Sequence, residues 1–254
     1  MSGRRVCQFS CGAASAVATK LTLAHHSNVV IVNAYIKEED EDNRRFLFDC
    51  ALWFGLPITV VQNDKYQAST DEVWRRKRFI KGPHGAPCSL ELKRSVLASI
   101  AEPGDINVVG LTSEEDDRFQ DLCERFPEGN FEAPLIQRQI SKADCLAMVD
   151  RAGIVLPRMY RLGYQNANCV GCPKGGQNYW QKIRKDFPER FRAIAAIQDE
   201  IGLGAGFLRF RSGPRKNERM MLKELPMGDG NLGDQADFSC SFYCELAEGE
   251  ILNS

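Results

Sequence analysis

The chain has no excess of charge of either sign. Its 33 Lys and Arg residues face 34 Asp and Glu residues, for a formal net charge of −1. That excludes a protein whose whole surface binds polyanions, and it confines any nucleic-acid contact to a local patch. No apolar run approaches the roughly 18 residues that a spanning helix needs. Residues 1–5 lead directly into a short apolar strand, without the apolar core of a secretory signal. The expectation is a cytoplasmic protein that crosses no membrane. Histidine is scarce, at three in 254 residues, and His84, alone in a Gly/Pro loop, is weak evidence of chemistry. No internal repeat or low-complexity segment stands out.

Cysteine, by contrast, is abundant. There are ten, in a composition that is 43% hydrophobic and 26% charged, which is enough apolar material to bury a core. In a reducing compartment disulfides are the less expected use of so many thiols. Cys7, Cys50, Cys123 and Cys145 fall in apolar or helical contexts and read as core thiols. Cys11, Cys88, Cys169, Cys172, Cys240 and Cys244 fall in loops or turns and call for separate arguments.

The first 62 residues alternate between strand and helix patterns. Arg5–Phe9, Val29–Tyr35 and Ile58–Gln62 are short apolar runs of the kind found in parallel strands buried on both faces. Between them, residues 16–23 and 44–54 carry helical periodicity, the second closed by Gly55 and Pro57. Ile106–Leu111 is a fourth strand. The alternation predicts an α/β fold with a parallel, Rossmann-like sheet and right-handed crossovers. The periodicity of 178–187 and 188–201, with Trp180, Ile183, Phe187 and Phe191 at helical spacing, predicts a helical, cysteine-bearing C-terminal extension. The expected division is a nucleotide-binding domain over residues 1–155, with the extension and a mobile tail over 156–254 packed on it.

Several stretches bear on chemistry. Ser10, Gly12, Ala13 and Ser15 lie where the first strand opens into a helix. Small residues there let backbone N–H groups approach an anion, with the helix N-terminus adding partial positive charge; an ordinary tight turn is the competing reading. Arg118 follows the fourth strand, at the strand end where open parallel sheets bind ligands, and either binds an anion or pairs with its acidic neighbours. Arg75, Arg76 and Arg78, beside Trp74, and the basic stretch from Arg209 to Lys223 are either solvated faces or contacts for tRNA or DNA, with Trp74 available to stack. Cys88 sits at a predicted helix start over 89–100, a position that favours a thiolate. Cys169 and Cys172 form a Cys-x-x-Cys turn between Tyr164 and Lys174, and two thiols at this spacing reach one soft metal centre. The pair holds a cluster, does redox chemistry, or does neither.

Taken together, these segments resemble the phosphoadenosine phosphosulfate reductase family of the adenine nucleotide α-hydrolase (PP-loop) superfamily, and its short phage-type members in particular. Ser10-Cys-Gly-Ala-Ala-Ser15 is similar to the superfamily's Ser-Gly-Gly-x-Asp-Ser loop, with Cys11 and Ala14 in place of a Gly and the Asp. Residues 109–118 resemble its Arg-bearing segment. Pro134–Ile136 and Tyr160–Cys172 resemble its Pro-Leu and Gly-Tyr … Cys-x-x-Cys region, and Cys240-Ser-Phe-Tyr243 its C-terminal nucleophile motif, without the usual His.

The resemblance implies an adenine nucleotide α-hydrolase fold. It also implies iron–sulfur-dependent sulfur chemistry on an adenine nucleotide, with Cys240 as nucleophile in an adenylyl-sulfate reductase and a thiol or electron donor as partner. A [4Fe-4S] cluster would be held by Cys88, Cys169, Cys172 and a tail cysteine, Cys244 or Cys240, with ATP or another adenine nucleotide bound nearby. The alternatives are ATP-dependent sulfur transfer to a nucleobase or tRNA, and a nucleotide- or nucleic-acid-binding module in which the same thiols hold zinc.

Overall fold

The computed structural model describes residues 3–82 and 85–233. Five strands form one parallel sheet: β1 (Arg5–Gln8), β2 (Val29–Ala34), β3 (Thr59–Val61), β4 (Ile106–Val108) and β5 (Phe131–Glu132). Their spatial order is β3-β2-β1-β4-β5. The chain therefore winds outward from β1 in one direction through β2 and β3, then returns to the other side of β1 with β4. That reversal creates a crevice beyond the carboxyl ends of β1 and β4, where open α/β sheets take ligands.

Helices cover the sheet. The first, α1 (Ala13–His25), packs Ala16, Val17 and Ala18 into a cluster with Phe9, Ile31, Phe46, Cys50 and Val149. Small residues on α1 let it lie close to the sheet, and larger ones on α2 (Asp42–Phe54) fill the remaining space. Gly55, at φ 72°, ends α2 in a left-handed cap that Cβ-bearing residues adopt less readily. A short helix, α3 (Thr70–Lys77), starts on Ser69, whose hydroxyl accepts from the Glu72 N–H. The segment expected as one helix over 89–100 is instead Pro87–Ser89, a π-helical turn Leu90–Arg94, and Ser95–Ala98.

Three further expectations need adjustment. Arg118 and its acidic neighbours after β4, where no helix was expected, form a 3₁₀ turn at Ser113–Glu115 leading into α4 (Asp116–Arg125). A reciprocal cap between Thr112 and Glu115 starts it, and Leu122, with Phe119 and Phe126, supplies an apolar stripe. The basic stretch from Arg209 is partly a two-stranded antiparallel ribbon, β6 (Leu208–Arg209) with β7 (Arg219–Met220). Residues 225–231, within the tail expected to be mobile, are fastened across a C-terminal helix: Asn178 donates to the Asn231 carbonyl at 2.8 Å, and Arg184 to those of Leu225 and Pro226 at 2.9 and 2.6 Å. The rest of the tail, with Cys240 and Cys244, and the loop residue His84 lie outside the described residues.

After α5 (Lys142–Arg151), the C-terminal region adds α6 (Gln177–Asp186) and α7 (Pro188–Ile201). Trp180, Ile183, Ile194 and Ile197 of these helices form one buried cluster with Val73 and Trp74 of α3 and with Cys88, Cys169 and Cys172. No helix of the described residues is long and apolar enough to cross a membrane.

Candidate anion-binding cleft

At the end of β1 the backbone turns sharply. Cys11 adopts φ 57°, the left-handed region that costs a Cβ-bearing residue about 1 kcal/mol. Asn33 of β2, fully buried, supports the turn from below by donating to the Phe9 carbonyl at 2.8 Å and to the Cys11 sulfur at 3.6 Å. Burial pushes the Cys11 thiol pKa up, so it stays a neutral packing group. Gly12 caps α1 without a side chain. Ser15, one turn in, accepts from the Ser10 N–H and hydroxyl, both at 3.2 Å, and donates to the Gly12 carbonyl at 2.9 Å. The first turn of α1 is thus folded over a knot of small polar groups at the end of β1.

That crevice is a narrow cleft of about 90 Å³. Ser10, Gly12, Ala13 and Ser15 all line it, as do Gly110 and Thr112 from beyond β4. Two lysines complete the wall. Lys93, only 7% exposed, comes from the π-helical turn and has Glu39 3.7 Å away. The extra residue of a π turn re-aims the side chains around it, and such turns recur at functional sites. Lys142 is the first residue of α5, and its ammonium donates to Asn166 at 3.4 Å. Tyr160 closes the cleft over α1: its hydroxyl accepts from the Ala13 N–H at 3.4 Å. The segment carrying it is fixed by Arg158, which pairs with buried Asp40 at 2.8 Å, and by Asp42, which accepts the Arg158 backbone N–H at 2.7 Å.

An outer chamber continues the cleft past Lys142 and Tyr160 to Leu146, Leu156, Arg161 and Arg118. Arg118 lies here, and its guanidinium pairs with Glu115. Lys93, Lys142 and Tyr160 escape a reading of the sequence because each lies far along the chain from Ser10. The one local signal is Ser141-x-x-Asp144, a helix start that says nothing of what the next lysine faces.

The Cys-x-x-Cys turn is positioned elsewhere, and differently from expectation. Cys169 pairs by backbone with Glu39 in an antiparallel bridge. Tyr179 of α6 holds the turn from inside: its hydroxyl accepts the N–H groups of Gly171 and Cys172 at 3.1 and 3.0 Å and donates to the Cys169 carbonyl at 3.2 Å. Gly171, at φ 80°, has Ile194 where a Cβ would fall. Arg190 adds a bond to the Val170 carbonyl at 3.1 Å and a bidentate pair with Asp71 at 2.6 and 2.8 Å.

Cys88, Cys169 and Cys172 are buried within the apolar cluster. Among the described residues, no group of three or more His, Cys, Asp or Glu side chains is placed to hold a metal ion. The expected [4Fe-4S] cluster on Cys88, Cys169 and Cys172 is therefore corrected, and the zinc alternative with it. The iron–sulfur oxidoreductase and adenylyl-sulfate reductase readings that depended on the cluster fall too. Cys240 and Cys244, the other residues expected in that chemistry, lie outside the described residues. Cys7, Cys50 and Cys145 are core thiols, their pKa pushed up to about 12 by burial; Cys123 is partly exposed.

The basic stretches are built into the fold. Arg75 pairs with Glu200 at 2.8 Å, Arg76 donates to the Lys65 carbonyl at 2.8 Å, and Arg78 to the Ile201 carbonyl at 3.1 Å. The last of these places a cation on the C-terminal end of α7, where the helix dipole favours it. Trp74, expected to be available for stacking, is fully buried. In the second stretch Arg215 pairs with Glu218 and Glu224, Arg219 donates to the Gly204 and Gly206 carbonyls, and Lys223 pairs with Asp199.

No protein-family model matches the chain, and no curated protein matches it.

Proposed function

We propose that the chain is a nucleotide-binding protein of the adenine nucleotide α-hydrolase type, taking the phosphates of an adenine nucleotide at the start of α1. The observation that carries this reading is the position of the Ser10–Ser15 turn at the point where the sheet order reverses, facing a cleft walled by Lys93 and Lys142. Backbone N–H groups of a first helical turn suit phosphate oxygens, and the dipole adds to that preference. Two ammonium groups supply counter-charge in a site partly shielded from water, where such charge acts more strongly.

The inner cleft, at about 90 Å³, is a corner for phosphate alone, and the adjoining outer chamber, at about 720 Å³, supplies the room that the rest of a nucleotide needs. The outer chamber, with Leu146, Leu156 and Tyr160 on its walls, suits a flat ring next to a phosphate-binding corner. The close fit of Gly110 against α1, and the left-handed turn at Cys11, are backbone features that hold the N-terminus at the sheet end. The resemblance of Ser10–Ser15 to the superfamily loop points the same way. Calorimetric titration with ADP and with adenosine tests the reading. ADP is expected to bind and adenosine to bind at least tenfold more weakly, since the phosphates carry the recognition. Equal binding of both, or of neither, would set the reading aside.

A further inference from the structure

Away from the cleft, one face of the molecule is apolar and open. Phe48 and Leu52 stand one helical turn apart on the outer side of α2, 62% and 69% exposed, and Leu56, just past the Gly55 cap, is 40% exposed. The chain then enters β3, where Val60 is 49% exposed. Val60 is level with Asn33 of β2. Asn33 shares a sheet face with Ile31, which packs in the cluster that α1 and α2 cover. The Val60 side chain therefore projects on the α2 side of the sheet. β3 is also an edge: among the described residues it pairs with β2 alone. Charged side chains are a common guard against edge-to-edge pairing, yet no charged residue lies between Asp49 and Asp64.

We infer that this face binds a second copy of the chain about a two-fold axis perpendicular to the sheet, which sets the two β3 edges side by side, antiparallel, and lays α2 against its counterpart. A two-fold interface meets its own surface, so a charge at its centre faces its like. Here the run from α2 into β3 carries none. Arg45, one turn before Phe48, is neutralised within its own chain by Asp42 at 2.7 Å and Asp49 at 2.6 Å. Phe48, Leu52, Leu56 and Val60 leave apolar surface on the order of 400 Å² open, a size that marks an interaction site. A standard interface takes about 800 Å² from each partner, a little over half of it apolar, so the patch matches the apolar part of one such interface. β3 is three residues long, so the side chains supply most of the affinity and the strand edges fix the register. The inference does not rest on the nucleotide-binding reading.

The test is sedimentation velocity of the full chain from about 1 to about 100 μM. Wild type is expected to reach a dimer within that range. Leu52→Glu sets two like charges against each other across the axis and is expected to weaken association at least about tenfold. Phe48→Glu is expected to do the same. Both positions face solvent, and thermal melts at the lowest concentration check that each variant folds; either one carries the conclusion if the other does not. Leu203→Glu makes the same change at a residue that is 87% exposed on a separate turn, Leu203–Ala205, and is expected to leave the dimer intact. A full chain that stays monomeric would overturn the inference and leave the face to residues 234–254 or to a different protein. A dimer that Leu52→Glu and Phe48→Glu both leave intact, or that Leu203→Glu disrupts equally, would overturn it as well.

Discussion

A Cβ on Gly110 would stand 2.9 Å from both the backbone nitrogen and the Cα of Ser15, closer than real Cβ contacts come. Gly110, two residues past β4, and the first turn of α1 therefore touch backbone to backbone. This contact sets how far the N-terminus of α1 projects over the sheet end, and so sets the depth of the cleft. Gly110→Ala is expected to push α1 outward, costing about 1–3 kcal/mol of stability as an overpacked contact. It should weaken ADP binding as well. Urea unfolding and titration check the two effects together. Gly204→Ala, at a glycine with open space around it, is the neutral control.

Asp42 ties the Tyr160 segment to α2. It pairs with Arg45 at 2.7 Å and accepts the Arg158 N–H at 2.7 Å and an Arg161 N–H at 3.4 Å. The hydrogen bond from Arg45 is the largest cause that holds its carboxyl pKa down, at about 2 against an ordinary 3.8. A carboxylate with a depressed pKa stabilises the fold above its unfolded-state value, and that contribution is lost as pH falls through the folded-state value. Asp42→Asn is expected to cost about 2 kcal/mol at neutral pH. The difference from wild type should narrow as pH falls from about 4 to about 2. A stability gap between the two proteins that stays constant over this range would contradict the assignment.

Tyr179 fixes the Cys169–Cys172 turn through one hydroxyl that serves three backbone groups. Tyr179→Phe leaves the Gly171 and Cys172 N–H groups without that acceptor inside a fully enclosed site. The expected loss is about 2–3 kcal/mol, read as a lower melting temperature. Nucleotide binding is expected to survive, because Tyr179 does not line the inner chamber.

Much of the sheet is legible in the sequence because its central strands are apolar runs flanked by helical periodicity. Val29–Ala34 and Arg5–Gln8 owe their pattern to burial on both faces. The Ser10–Ser15 turn is also legible as a strand-to-helix turn of small residues, though that pattern alone does not separate a phosphate cradle from an ordinary tight turn. What escapes is whatever depends on distant pairing. Phe131–Glu132 is too short for a period, and becomes a strand only because β4 lies beside it. In α4 the charges of Asp116, Asp117 and Arg118 dominate the composition, while Leu122 alone is buried enough to mark a face. Lys93 depends on a π turn that residue spacing does not encode. The cysteines mislead for a related reason. Cys-x-x-Cys spacing fits a metal centre and equally fits a tight turn whose thiols pack into a core, and only the surroundings of Tyr179, Trp180 and Ile194 distinguish the two.

The most direct measurement of the central claim is the amide spectrum of isotope-labelled protein during titration with ADP. The account predicts that the N–H resonances of Gly12, Ala13, Ala14 and Ser15 shift first and farthest, because phosphate oxygens accept from the start of α1. The Thr112 resonance should follow across the cleft. Saturable shifts that leave Gly12–Ser15 unmoved and cluster on another face would contradict it.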